Sequence, residues 1–184
     1  MVKSIQAALF IASIDLTDKI RVANELNSSL SKIFDGEPLI LPIPDDAPPE
    51  IPSIILKNKD ESFALNISRS RVDLFFKNTR NIDISMDKLS TELLSHINEI
   101  ALVLFKKFSC TINRMGTIST LSVNKKNMVQ ELISHLDEKY FNASGKCEAQ
   151  VHLLSKQDLG GYQVNNWIRL IAQDHMPKND TFFI

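Results

Sequence analysis

The spacing of apolar residues predicts two amphipathic helices in the first two thirds of the chain. The first begins at Asp18, whose carboxylate can cap a helix N-terminus. It is predicted to end before Gly36, which would serve as its C-terminal cap. Its apolar residues recur every three or four positions, at Ile20, Ala23, Leu26, Leu30 and Ile33. The second helix carries a longer stripe of the same kind, at Met86, Leu89, Leu93, Ile97, Ile100, Leu104 and Phe108. A third stripe predicts one more helix, at Met128, Leu132, Leu136 and Tyr140.

Shorter apolar or alternating runs predict strands. They cover residues 5–13, 53–57, 62–69, 71–77, 111–123, 147–156 and 162–172. Residues 58–60 and 160–161 suit hairpin turns, and Trp167 is expected in the core or on a sheet face. The order β-α-β-β-β-α-β-α-β-β indicates an α+β fold, a mainly antiparallel sheet with helices packed on one face. With 184 residues the chain is predicted to be a single domain, residues 1–184.

An eight-residue word occurs twice along the chain. Residues 92–99 read ELLSHINE and residues 131–138 read ELISHLDE, and each word precedes a cysteine and a strand. The repeat indicates either duplication of a helix-strand unit or chance recurrence of a short amphipathic word.

The same word places carboxylates on both sides of a histidine, because helical residues three and four apart share a side. The candidate metal ligands are Glu92, His96, Glu99, Glu131, His135 and Glu138. Mixed imidazole and carboxylate ligands suit first-row divalent ions, whose bound water serves as the nucleophile in metal-dependent hydrolases. Both stripes flank the apolar stripe, where solvated charges are usual, so two exposed polar flanks are the competing interpretation.

Charge and composition narrow the classes of function. The 21 basic and 22 acidic residues give a net charge of −1, which argues against nucleic acid as a partner. Two cysteines are too few for a disulfide scaffold and fit a reducing, cytoplasmic location. No apolar run is long enough to span a membrane, so no membrane partner is expected. The sequence has no glycine-rich phosphate loop and no nucleophile motif, so neither a cofactor nor a catalytic residue is predicted.

A basic cluster near two strand ends is a candidate anion or nucleic-acid site. Its residues are Arg69, Arg71, Lys77 and Arg80. Acidic residues interleave with it along the chain, so ordinary surface ion pairs are the alternative interpretation.

Six of the seven prolines lie between Pro38 and Pro52, which predicts an extended segment in place of a helix or a central strand. Such stiff chain loses little entropy on binding, and here it combines apolar residues with an acidic rim. The last residues of the chain are also apolar, unlike most exposed termini. The candidate partner-binding residues are Leu39, Leu41, Ile43, Asp45, Asp46, Glu50, Phe182 and Phe183. Packing of the apolar ones against the protein's own core is the alternative.

The run ILPIPDDAPPEIP at residues 40–52, with residues 64–68 and 71–76, resembles a family of uncharacterised bacterial proteins. The likeness covers residues 5–125 and includes an Ile-x-Arg-x-Gly strand at residues 112–116. The family's sporadic distribution resembles that of mobile-element or phage-defence cargo. The family has no assigned activity, so the resemblance implies no functional residue.

These features predict a non-enzymatic, cytoplasmic interaction subunit or regulator of a bacterial complex, which binds a protein partner or a second copy of itself. The first alternative is a metal-dependent hydrolase or nuclease that uses the two Glu/His stripes. The second is an anion or nucleic-acid binder.

Overall fold

The computed structural model describes residues 1–44, 46–122 and 148–173. They belong to two compact units, one of residues 2–119 and one of residue 1 with residues 120–184. The described helices are α1 (Lys19–Ser29) and α2 (Met86–Phe108). The strands are β1 (Val2–Ile11), β2 (Leu39–Ile40), β3 (Ile54–Lys57), β4 (Phe63–Ile67), β5 (Arg71–Lys77), β6 (Ile112–Leu121), β7 (Glu148–Leu159) and β8 (Tyr162–Gln173). The predicted α+β class is confirmed, and the single-domain expectation stays a prediction.

Six strands form one sheet in the order β2-β3-β4-β5-β1-β6. Strands β2 to β5 are an antiparallel meander, and β1 then pairs antiparallel with β5 so that Ile5 faces Phe76. Strand β6 lies beside β1, where the Ala12 N–H donates to the Thr111 carbonyl at 3.0 Å. The two edges of the sheet are therefore β2 and β6.

Alternation along the strands gives the sheet one buried face and one mainly half-buried face. In β4, Phe63, Leu65 and Ile67 are buried while the residues between them are half-buried. Cross-strand pairing carries the same pattern through the neighbouring strands. The buried face comprises Ile5, Ala7, Leu9, Ile54, Leu56, Phe63, Leu65, Ile67, Val72, Leu74 and Phe76. Helix α2 covers this face, since its His96 ring meets the Phe63 ring edge-on at a centroid distance of 4.9 Å.

Helix α1 begins as predicted and ends earlier than predicted. The Asp18 carboxylate accepts a hydrogen bond from the Arg21 N–H at 3.0 Å, which caps the N-terminus. The helix ends at Ser29, so the predicted extension to Gly36 is wrong. Asn27, Ser28 and Ser29 are poor helix formers because their side chains compete for backbone hydrogen bonds.

Gly36 is required for a close approach and does not cap a helix. Its N–H donates to the Lys57 carbonyl at 3.0 Å, and a Cβ at this position would lie 2.7 Å from that oxygen. Only glycine lets the segment after α1 approach the end of β3 this closely.

Five of the seven residues of the stripe predicted for α2 are buried, namely Leu89, Leu93, Ile97, Ile100 and Leu104. At its two ends Met86 is 40% exposed and Phe108 is half-buried. The helix ends at Phe108, and the residue that follows, Ser109, caps it in the left-handed conformation with a φ of 50°. Neither of the two described helices has both the length and the apolar character needed to cross a membrane. The predicted third helix, and with it the proposed helix-strand duplication, lies outside the described residues.

Strands β7 and β8 form an antiparallel two-stranded ribbon of twelve residue pairs, from Glu148 opposite Gln173 to Leu159 opposite Tyr162. The turn is Gly160-Gly161, with φ values of 63° and 87°, so the predicted hairpin turn is confirmed. The Gly161 N–H also donates to the Asp158 carboxylate at 2.9 Å.

Candidate interaction surfaces

The ribbon of β7 and β8 has an apolar face that is open to solvent. In an antiparallel pair, directly opposite residues lie on the same face. Val151 faces Leu170 and Leu153 faces Ile168, and these residues share a face with Tyr162 at the turn. Leu153 is 52% exposed, Ile168 44% and Tyr162 78%. This face therefore consists mainly of apolar residues, and in the described structure it is exposed to solvent.

The other face of the ribbon is mainly polar. It carries His152 opposite Arg169 and Lys156 opposite Asn165. Its main apolar pair is Leu154 and Trp167, and Trp167 is 66% exposed. The expectation of a core or sheet-face tryptophan is met only in part, because Trp167 lies on a sheet face outside any core.

Strand β6 is the second exposed strand. Its seven central residues, 113–119, are all exposed, among them Met115 at 52% and Ile118 at 65%. Successive residues of a strand point to opposite faces, so both faces of β6 are open. Arg114 lies over the Phe10 ring of β1 with its guanidinium carbon 4.0 Å from the ring centroid.

The proline-rich segment is fastened to the sheet and to α1. Its hydrogen bonds are Lys19 Nζ to the Ile43 carbonyl (2.8 Å), the Leu41 N–H to the Ser53 carbonyl (2.8 Å), the Ser70 N–H to the Pro49 carbonyl (3.3 Å) and Arg69 to the Ala47 carbonyl. A cleft of about 190 Å³ remains between this segment and the loop that precedes α1. A second, more open cavity of about 480 Å³ lies between residues 40–42 of the segment and the start of α1.

Of the predicted partner-binding residues in this segment, Leu41 and Ile43 are half-buried. Leu39 is 51% exposed, and Asp46 and Glu50 are exposed. The segment thus directs some apolar groups toward the protein and leaves a mixed acidic and apolar rim outside. Three further predicted residues, Asp45, Phe182 and Phe183, lie outside the described residues.

The first Glu/His stripe supplies a pair of groups. Glu92 Oε1 lies 3.8 Å from His96 Nε2, and the His96 side chain is only 19% exposed. Burial lowers the pKa of His96, while the charges of Glu92 and Glu99 act in the opposite direction. Within residues 1–44, 46–122 and 148–173, no three His, Cys, Asp or Glu side chains form a group that could hold a metal ion. Because the His96 ring packs on Phe63, this histidine has a structural contact.

The second stripe, Glu131, His135 and Glu138, lies outside the described residues. Its part in a metal site stays a prediction.

The four predicted anion-binding residues do not converge. Arg69 and Arg71 lie at one end of β5 and Lys77 and Arg80 at the other, and the seven residues of β5 span about 20 Å. The carboxylates that interleave in sequence are also their partners in space. Arg71 Nε lies 2.7 Å from Asp73 Oδ2, and Arg80 lies 3.4 Å from Asp60.

Asp73 lies on the half-buried face of the six-stranded sheet and connects strands β1 and β5 there. One of its carboxylate oxygens accepts from Gln6 at 3.0 Å and the other from Arg71 at 2.7 Å. Each oxygen of this buried carboxylate therefore accepts a hydrogen bond from a neighbouring side chain of the sheet.

The most exposed apolar residues were not among the sequence-predicted site residues. They are Met115 and Ile118 in β6 and Leu153, Tyr162 and Ile168 in the ribbon. For the ribbon residues the signal is the period-two pattern around Gly160-Gly161, which predicts strands but not their burial; the apolar residues of β6 recur every third position and give no such signal. Comparison of the chain with protein-family models, with curated proteins and with solved structures gives no match.

Proposed function

We propose that this chain is a non-enzymatic protein-interaction subunit and that the apolar face of the β7–β8 ribbon is its contact surface for a partner protein. The observation that carries the proposal is the exposure of apolar side chains on one face of a long two-stranded ribbon.

A two-stranded hairpin is marginally stable in water on its own, because it buries too little apolar surface. Its twelve residue pairs span about 40 Å at roughly 3.4 Å per residue. Contact with another apolar surface removes Leu153, Ile168 and Tyr162 from water and stabilises the ribbon at the same time. A partner with an extended apolar strip satisfies this requirement.

The residue types of the ribbon also suit protein recognition. Tyrosine and tryptophan dominate binding energy at protein interfaces because they bury a large area at a small entropic cost. Tyr162, at 78% exposure, lies on the apolar face near the tip of the ribbon, whereas Trp167, at 66% exposure, lies on the polar face. The polar face, with His152, Lys156 and Arg169, keeps the ribbon hydrated before a partner binds.

Two further parts of the proposal have narrower support. The cytoplasmic location is supported by Cys110, a buried free thiol whose pKa is raised by burial. A link to mobile elements or phage defence rests only on the resemblance of the proline-rich run.

The proposal is tested by capture of partners with the tagged full chain from cells that make it naturally. One variant carries Leu153→Lys and Ile168→Lys on the apolar face. The matched control carries Gln163→Lys and Asn165→Lys, two exposed positions on the polar face with the same gain of positive charge. We expect a reproducible partner with wild type and control and its loss with the apolar-face variant.

A direct readout uses Trp167, the only tryptophan of the chain. Trp167 lies on the polar face, so a partner bound to the apolar face should leave its fluorescence maximum nearly unchanged, and a shift to shorter wavelength would place the contact on the other face. Equal capture by wild type and both variants, or no partner in repeated trials, would contradict the proposal.

A further inference from the structure

The two edges of the six-stranded sheet differ in how they are protected. The β2 edge is two residues long and lies between Pro38 and Pro42, which lack N–H donors. Natural sheets blunt their edges in this way to prevent pairing with other chains. The β6 edge is ten residues long and contains neither proline nor lysine. Among the strands that the structure describes, the β6 edge is therefore open to a further strand and the β2 edge is not.

The side chains of strand β6 are as exposed as those expected of an edge strand that can pair with a further strand. Seven consecutive exposed residues mean that, within residues 1–44, 46–122 and 148–173, nothing covers the two faces of β6 or its outer edge. The outer backbone N–H and C=O groups of an edge strand are a template for another strand. Met115 and Ile118 add apolar groups on the two opposite faces.

We infer that β6 pairs antiparallel with β6 of a second copy of this chain, which joins two six-stranded sheets into one of twelve strands. A two-fold axis perpendicular to the sheet relates two such strands. The residue at the centre then pairs with the same residue of the second copy, and every other residue pairs with one an even number of positions away in the sequence. Pairing centred on Gly116 or Thr117 uses nine of the ten residues of the strand. The same axis leaves the helices of both copies on one face of the joined sheet.

The charges of β6 favour a second copy over a charged peptide. Its only charged side chain is Arg114, which already lies on the Phe10 ring. With the centre at Gly116 or Thr117, the two Arg114 residues are four or six positions apart, about 14 to 20 Å. This separation exceeds the ~8 Å Debye length at physiological salt, so their repulsion is screened.

The size of the contact also fits a dimer. Pairing over nine residues forms about nine backbone hydrogen bonds, close to the roughly ten direct hydrogen bonds of a typical protein interface. Removal of Met115 and Ile118 from water on both copies adds an apolar contribution. The inference uses β6 alone and goes beyond the proposed function, which uses the ribbon.

The oligomeric state of the purified full chain tests the inference. Sedimentation velocity over a wide range of concentration should show a species of twice the chain mass of 20.8 kDa. Met115→Lys with Ile118→Lys should weaken the dimer by about tenfold or more in Kd. The control is Ile82→Lys with Leu102→Lys, two positions of matching exposure at 53% and 54% outside β6, and it should dimerise like wild type.

Single cysteines give the register, in a chain whose native Cys110 and Cys147 are changed to alanine. Directly opposite residues have Cα atoms about 4.5 to 5.5 Å apart, within disulfide range. Gly116→Cys or Thr117→Cys should therefore form a disulfide dimer, and the space at Gly116 accepts a Cβ. Asn113→Cys lies far from its own mate in either register and should remain monomeric.

A monomer at every concentration overturns the inference, including one that copurifies with a strand from another protein. So does a dimer that resists the β6 lysine variant and forms no disulfide at position 116 or 117. The ribbon variant Leu153→Lys with Ile168→Lys should still dimerise, so loss of a partner and loss of the dimer are separate results.

Discussion

The strands of the meander and those of the ribbon have the same alternation of apolar and polar residues but opposite environments. In β4, Leu65 and Ile67 have no exposed surface, whereas Leu153 and Ile168 of the ribbon are about half exposed. The difference arises because helix α2 covers one face of the meander, and the described structure places no such cover on the ribbon's apolar face. A period-two pattern thus identifies a face that can be buried, and a second surface must bury it.

The largest expected effect contrasts a meander leucine with a ribbon leucine. Leu65→Ala removes a fully buried side chain and should lower the free energy of unfolding by about 2 to 5 kcal/mol. Leu153→Ala should change it by about 0.5 kcal/mol or less, since that side chain is half exposed. Urea unfolding followed by circular dichroism measures both. Equal losses would remove the contrast between the two regions.

A second contrast compares two glycines. Gly36→Ala places a Cβ against the Lys57 carbonyl and should destabilise the protein by about 1 to 3 kcal/mol through overpacking. Gly116→Ala in exposed β6 meets no atom within 4 Å and should be neutral or slightly stabilising. Thermal unfolding of the two variants measures the difference, and a neutral Gly36→Ala would show that the segment after α1 can shift.

A smaller effect is expected at the two helix N-termini. Asp18→Ala removes the hydrogen bond to the Arg21 N–H and should cost about 1 kcal/mol. Ser85→Ala at the start of α2 is the matched control, because the Ser85 side chain makes no capping bond. Chemical unfolding of the two variants should separate them, and similar values would argue against a stabilising cap at Asp18.

The smallest effect is a dependence of stability on pH at His96. Its pKa is lowered in the folded state by burial, so the unfolded chain binds more protons as the pH falls. Folding stability should therefore decrease as the pH falls through about 6.5, the ordinary value for histidine. His96→Gln should reduce this loss between neutral and mildly acidic pH. His152→Gln on the exposed ribbon is the control and should keep the wild-type slope.

Local features of the fold were predictable because their causes are local. The Asp18 cap, the stripe of α2 and the Gly160-Gly161 turn depend on residues a few positions apart. The end of α1 was misplaced because the apolar spacing continues to Leu30 and Ile33, which are buried without being helical. Apolar period and helical backbone can thus separate at a helix end.

The candidate surfaces were less predictable because exposure is a property of the whole fold. Alternation in β4 identifies its buried face, whereas the apolar residues of β6 recur every third position and identify none; β6 ends the strand order and β4 lies inside it. The basic residues at 69, 71, 77 and 80 are close in sequence, but the extended β5 separates them into two pairs. Sequence spacing measures proximity well on a helix and poorly on a strand.

The position of β1 between β5 and β6 has a consequence for synthesis. Ile5 pairs with Phe76, 71 residues later in the chain, so β1 leaves the ribosome well before its partner exists. At about 5 to 20 residues per second, that interval is roughly 4 to 14 s. During this time β1, with the sequence VKSIQAALFI, is an unpaired apolar segment. Strands β3, β4 and β5 are consecutive in the chain, so they can pair with one another as soon as they emerge from the ribosome. The newly made meander thus provides the edge, at β5, with which the earlier-synthesised strand β1 pairs.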